Sequence, residues 1–263
     1  MPKASTDSNG RRRVKSVANA IRVLEALKAS PEPLRLSEIS HRLGMRKSTV
    51  HLLLSTLAEF NFVQPDGPLG HYRLGLGAFE VGAAAVDRLG LPPELGPPME
   101  RLADRSMEAV SLAVRNGASA LIVRRYESAH ILRAEIGIGT RMPLHASASG
   151  KCLLAGMDPD QVDELYPTEE LPEATNAKIR TKRKLLRELD KARRLGYATN
   201  RDEFVLGVAA IAAPVFDRRG RTVAALSIAG PTARFEELRW VPELHRTATD
   251  MATMLGYRNE NRS

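Results

Sequence analysis

Residues 37–61 read SEISHRLGMRKSTVHLLLSTLAEFN, and their spacing decides the fold of the N-terminal third of the chain. Ser37 is a good N-cap, with Glu38 favourably placed in the first turn of a helix. That helix carries Ile39 and Leu43 on one face and is expected to end at Gly44. A second helix is expected from near Arg46 to about Phe60, burying Val50, Leu53, Leu54 and Leu57 at i, i+3, i+4 and i+7. Asn61 follows, a residue that tolerates a left-handed cap. Two short helices cross closely when a small residue faces the partner and a glycine makes the turn. Ser40 and Gly44 meet those demands, and Ile39, Leu43, Met45, Val50 and Leu53 supply apolar side chains for the crossing. The other face of the second helix presents Arg46, Lys47, Ser48, Thr49 and His51, donors for phosphates and base edges in a major groove. An ordinary αα-hairpin with a wet polar face is the bland alternative.

The flanks fit the same module. Val17, Ala20, Ile21, Leu24 and Leu27 follow Ser16, a plausible cap, and form the expected apolar face of a preceding helix, which stops at residues 30–33, SPEP. Downstream, FVQP at 62–65 and HYRL at 71–74 surround a Gly/Pro turn and read as a hairpin, the wing of a winged helix. His71 and Arg73 are expected to face outward towards DNA, with Tyr72 and Leu74 packed inward. Residues 1–13 lack apolar periodicity and read as a disordered basic arm ending in Arg11, Arg12 and Arg13.

Charge supports this division. The net charge is +8; residues 1–77 hold 12 basic and 6 acidic side chains, and the other 186 residues hold 27 and 25. A compact basic module beside a near-neutral larger one fits polyanion binding attached to another task. No apolar run reaches the roughly 20 residues needed to span a bilayer, no stretch reads as a signal peptide, and the lone Cys152 forms no internal disulfide. A cytoplasmic location is expected.

The expected organisation is an arm at 1–13, a winged helix-turn-helix at 14–76, a linker helix at 77–92, an effector-binding domain at 93–258 and a tail at 259–263. A helix at 79–89 is expected to connect the domains, and in the larger domain helices are expected at 94–108, 149–157, 159–166, 179–195 and 235–255. Strands are expected on either side of Asn116-Gly117, at 130–136, and as a pair at 208–216 and 222–229 turned at Arg218-Arg219-Gly220. Hairpins grouped around helices indicate an antiparallel α+β domain rather than a βαβ type.

Four stretches taken together carry a family likeness: LSEISHRLGMRKSTVHLLLSTLAEFNFV…GHYRLG from residue 36, MPLHASASGKCLLA at 142–155, RRLGYATNRDEFVLGVAAIAAPVFD at 193–217 and AALSIAGP at 224–231. In this order the sequence resembles the IclR family of bacterial regulators. The resemblance implies a winged helix-turn-helix, a linker helix and a GAF-like or profilin-like effector domain. It also implies homodimers, often dimers of dimers, that bind double-stranded operator DNA and respond to short carboxylic acids or aromatic compounds. The family usually has an arginine after the recognition-helix histidine; here Leu52 stands there and offers a thymine methyl an apolar contact. Carried over, the effector pocket involves Ala148 and Ser149 at a helix start, with Asn200, Ala210, Ser227 and Ala229. Asn200 replaces a usual aspartate, and Ala210 and Ala229 stand where other members can be polar. The pocket is therefore expected to favour an effector bulkier or more aromatic than a two- or three-carbon acid.

Other chemistry is weaker. HASASGKC at 145–152 resembles a phosphate loop, but His145 holds the first glycine position and Cys152 the magnesium-binding hydroxyl. Cys152 sits in an apolar stretch and reads as a small buried side chain. The six histidines lack metal-ligand spacing, and no nucleophile elbow frames His145, Ser147 and Ser149. No cofactor is expected. The basic run at 178–194 is threaded by Leu185, Leu186, Leu189, Ala192 and Leu195, and reads as a solvated helix face. The rival functions are a hydrolase or kinase carrying a basic module, and an architectural nucleic-acid protein without an effector.

Overall fold

The computed structural model describes residues 5–6, 12–67, 70–127, 136–174 and 179–258, which fall into two compact units, 1–90 and 91–263. No helix among the described residues is long and apolar enough to cross a membrane.

In the first unit, β1 (Ser5–Thr6) and β2 (Arg12–Arg13) pair antiparallel inside the arm expected to lack structure. Two-residue backbone pairing leaves no periodicity for a sequence to announce. Helix α1 (Lys15–Lys28) starts after Val14 rather than at a Ser16 cap. It buries Val23 and Leu27, whereas Val17 and Ile21, expected inside, are 55% and 51% exposed. The helix is thus rotated so that one apolar stripe meets the core and a second faces out.

Strand β3 (Leu34–Arg35) leads into α2 (Leu36–Leu43), whose cap is Arg35 and not Ser37. The Glu38 carboxylate accepts the Arg35 N–H at 2.6 Å, so the acid does the capping expected of the serine. Gly44 closes the helix at φ 62°, a conformation that costs a β-carbon-bearing residue about 1 kcal/mol. Ser40 Oγ donates to the Met45 carbonyl at 2.6 Å and seals the turn into α3 (Lys47–Glu59). Val50 and Leu54 of α3 are buried with Val23, Leu27, Leu34, Ile39 and Val63, and Leu53 and Leu57 pack at the margin. Asn61 is left-handed at φ 58°, as expected.

The wing is a three-stranded sheet in the order β3-β5-β4, with β4 (Val63–Asp66) and β5 (His71–Leu74) as its hairpin. Because β3 pairs with β5, Leu34 against Tyr72 and Arg35 against His71, the hairpin has one free edge rather than two. Helix α4 (Leu76–Asp87) follows, three residues ahead of the expected start.

The second unit begins with a 3-10 turn at Pro93–Leu95 and α5 (Gly96–Ser106). Pro97 and Pro98 stand in the first turn of this helix, where prolines forfeit no hydrogen bond, so the helix expected from residue 94 begins at Gly96. Strands β6 (Ala109–Asn116) and β7 (Ser119–Tyr126) form the hairpin expected at Asn116-Gly117. Of the strand expected at 130–136, residues 130–135 lie outside the described residues and Ile136 is not in a strand. A short β8 (Arg141–Pro143) pairs with β7.

Helices α6 (Ala148–Ala155), α7 (Pro159–Leu165) and α8 (Lys182–Leu195) come next. In α8, Leu185, Leu189 and Ala192 face the core, while Leu195 is 42% exposed. After β9 (Ala198–Arg201), β10 (Val208–Phe216), β11 (Thr222–Pro231) and α9 (Glu237–Met254), the sheet is antiparallel throughout, in the order β8-β7-β6-β11-β10-β9.

Its two faces differ in side-chain size. Val110, Leu112, Leu226, Ile228 and Ile211 pack against the helices on one side. The opposite side carries rows of small residues: Ala109, Ala229 and Ala210 in register with Asn200, and Ser111, Ser227 and Ala212 in register with Ala198. Period-two alternation places the two sets on opposite faces.

Candidate functional site

The first candidate surface is the N-terminal end of α3. Arg46, its cap, and Lys47, Ser48, Thr49, His51 and Leu52 are all exposed, Leu52 at 68%. Helix polarity adds to their charge, because the first amides of a helix carry partial positive charge. The wing departs from expectation. His71 is half-buried, and its Nε2 accepts a hydrogen bond from Arg35 Nε at 3.1 Å. It shares a strand face with Arg73, and Arg35 of the added strand β3 covers it there. Arg73 is exposed, as expected, and lies 3.5 Å from Asp66. Tyr72 packs on the core, but Leu74 is 36% exposed.

The second candidate site is a cavity of about 330 Å³ over the small-residue face of the sheet. All six residues expected for an effector pocket, Ala148, Ser149, Asn200, Ala210, Ser227 and Ala229, line it. The cavity exists because alanines and serines occupy the rows where valines or leucines would fill the space. Its helical wall is the start of α6, capped by Ser147, whose Oγ accepts the Gly150 N–H at 3.1 Å and donates to the Pro143 carbonyl at 2.9 Å. A β-carbon at Gly150 would run into the backbone of Leu144, so the close turn entering α6 depends on glycine.

Asn200 is also a bracket. Its Nδ2 donates to the Ala146 carbonyl at 2.8 Å, and its Oδ1 accepts the Glu203 N–H at 3.3 Å. Glu203 in turn meets Lys151 Nζ at 3.0 Å, with both side chains buried. This ion pair ties α6 to the segment 203–207, whose Phe204, Val205 and Leu206 line the cavity. Neither partner stood out in the sequence, because 52 residues separate them.

The sequence also left Arg125 unremarked. Its side chain, 6% exposed, lies in the cavity wall, where Nη1 donates to Ser111 Oγ and Nε to Glu127 Oε1, both at 2.9 Å. On the adjoining wall Glu108 is matched by Arg234 through two contacts, of 2.6 and 3.0 Å.

Cys152 and Ser147, two of the groups weighed for catalysis, are engaged in the fold. Cys152 is buried, its Sγ donates to the Ala212 carbonyl at 2.9 Å, and burial pushes its thiol up to about 12. Ser147 is committed to its cap. His145 is buried edge-on to Tyr166, and burial lowers its pKa. Among the described residues, no group of three or more His, Cys, Asp or Glu side chains is placed to hold a metal ion.

Residues 16–67 match the IclR helix-turn-helix domain and residues 83–255 the bacterial transcriptional regulator IclR C-terminal domain. The chain belongs to the IclR family of bacterial transcriptional regulators. It is 35% identical over 244 residues to the HTH-type transcriptional repressor AllR of Escherichia coli K12, covering 92% of this chain and 90% of that one. Among solved structures, Thermotoga maritima IclR matches with a TM-score of 0.77 at 25% identity, over 93% of this chain and 100% of that one. An IclR homologue from Microbacterium hydrocarbonoxydans complexed with 4-hydroxybenzoate matches with a TM-score of 0.76 at 27% identity, over 91% and 98%. This IclR-family chain is therefore a DNA-binding regulator with an effector domain of the family's α+β fold.

The Lys151–Glu203 pair yields a stability prediction. Lys151→Met or Glu203→Leu should each cost about 3–5 kcal/mol, because each leaves a buried charge without its match. The double variant Lys151→Met/Glu203→Leu should recover most of that loss in urea denaturation. Additive losses in the double variant would show that the two residues act independently.

Proposed function

We propose that this regulator is a repressor whose α3 reads operator DNA from the major groove and whose cavity takes a small organic acid. The observation that carries the reading is the pairing of two features. One is an exposed basic helix start in a helix-turn-helix; the other is a walled cavity over the sheet of the second unit. Likeness to a protein named as a repressor supports repression, and the homologue complexed with 4-hydroxybenzoate supports a single-ring acid. The cavity's walls favour the same class. Ile122, Met142 and Phe204 are apolar, Ser111, Ser227 and Arg125 are polar, and 330 Å³ lies near the lower end of ligand-pocket sizes. Binding occurs without turnover, since Cys152 and Ser147 are occupied as described. The protein acts in the cytoplasm, where its DNA is.

The binding unit is a homodimer. Helix α4 has the sequence LGAFEVGAAAVD and buries only Gly77, leaving Leu76 72%, Phe79 70% and Val81 60% exposed. A helix that is apolar almost all round needs a cover. In the same unit, Val14, Val17 and Ile21 of the α1 region are exposed as well. A second copy of the chain supplies the cover and sets two recognition helices for adjacent half-sites. Effector binding then shifts the population of arrangements that the segment 76–90 permits, and with it the spacing of those helices.

Lys47→Ala and His51→Ala should each weaken operator binding by about 1–3 kcal/mol while leaving binding to unrelated duplex nearly unchanged. Equal operator affinity in both variants and the wild type, by fluorescence anisotropy, would place the reading helix elsewhere. Phe79→Glu should turn dimers into monomers in sedimentation velocity and lower operator affinity with them; an unchanged dimer would remove α4 from the interface.

A further inference from the structure

Arg125 stands at one end of a polar row that runs across the sheet. It is in register with Ser111 of β6, which is in register with Ser227 of β11. Ser111 Oγ accepts from Arg125 at 2.9 Å, and Ser227 Oγ donates to the Ser111 carbonyl at 3.3 Å. All three residues line the cavity. The Arg125 side chain is 6% exposed, whereas that of the acid it meets, Glu127, is 47% exposed and also lines the cavity. The pair is lopsided: a cation fixed in the wall and an anion half in water.

We propose that Arg125 is the anion anchor of the cavity, and that Glu127 is a built-in carboxylate holding the anchor until the effector's own carboxylate replaces it. The inference rests on reading this cavity as the effector site. A guanidinium this deeply buried needs an anion at all times, or its desolvation is left unmatched. Glu127 supplies one in the empty cavity through a single oxygen, Oε1 on Nε. The incoming carboxylate offers two oxygens in the fork geometry a guanidinium prefers. Glu127 regains water on leaving, so its displacement costs little. Glu108 does not take its place as the local anion, because Arg234 already holds both its oxygens. Exchange of one carboxylate for another keeps the charge at the anchor balanced throughout. It also makes the site select acids over their amides, because a neutral amide cannot replace the charge that Glu127 would withdraw.

The test uses matched pairs on the full chain: 4-hydroxybenzoate with 4-hydroxybenzamide, and phenylacetate with phenylacetamide, followed by calorimetry and thermal shift. Wild type should prefer the acid of a pair. Glu127→Gln removes the competitor and should bind the acid about tenfold more tightly with the amide little changed. Arg125→Met should bind the acid about tenfold or more weakly and lose the acid-over-amide preference. Glu127→Gln keeps the side-chain shape, so it decides the matter even where Arg125→Met fails to fold. Acid affinity unchanged or weakened in Glu127→Gln, or an acid preference kept in Arg125→Met, overturns the anchor alone. Wild type that binds none of the four compounds, or binds them equally well when Ala229→Leu fills the cavity, overturns the effector reading and the anchor with it.

Discussion

The second unit depends on one constraint, the alternation of large and small side chains across four neighbouring antiparallel strands. On one face Leu112, Leu226, Ile228 and Ile211 fill the space beneath the helices and form a core with α5 and α9. On the other, Ala109, Ser111, Ala210, Ser227 and Ala229 leave that space unfilled, and α6 roofs part of it. Each missing branched side chain forgoes apolar burial of roughly 1.5–3 kcal/mol. The fold offsets this on the opposite face and keeps the opening. A ligand of matching shape recovers the forgone burial, so the energetic asymmetry of the sheet is itself a reason for the unit to bind something.

The polar groups around the cavity serve the opening rather than filling it. Lys151–Glu203 and the Asn200 bracket hold the segment 203–207 against α6. Two left-handed residues, Asp202 at φ 61° and Gly207 at φ 80°, bound that segment, and Asp202 Oδ1 accepts the Gly207 N–H at 2.8 Å. The wall is thereby held from both sides by buried or charged contacts. A site defined by fixed walls discriminates by shape and charge, which is what a sensor of small metabolites needs.

Much of this was legible in the sequence, for identifiable reasons. Strand β10 has the bounds expected for it, 208–216, because it is long, apolar and followed by a glycine turn. The helix-turn-helix was legible because Ser40, Gly44 and the i, i+3, i+4 spacing of α3 are local signals. Strands β3 and β9, of two and four residues, carry too little alternation to be seen. The partial cover of His71 by Arg35 follows from β3 and was invisible with it. In the cavity, the six expected residues were reachable through the family motifs, whereas Arg125 was not. It sits in VRRYE near a strand end, where charged residues usually meet solvent. Only the register shift between Leu112 and Ala113 sets it opposite Ser111.

Occupancy of the cavity, on the proposed function, governs DNA binding, and the two can be measured together. Operator affinity of the full-length chain is measured by fluorescence anisotropy with and without a saturating acid shown by thermal shift to bind the wild type. Ala229→Leu, in which the cavity is filled, is measured in parallel. The account predicts an operator affinity changed about fivefold or more by the ligand in the wild type, within the usual range of coupling between sites, and no response in the filled variant. Operator affinity that stays constant while the wild-type cavity is demonstrably occupied would contradict it.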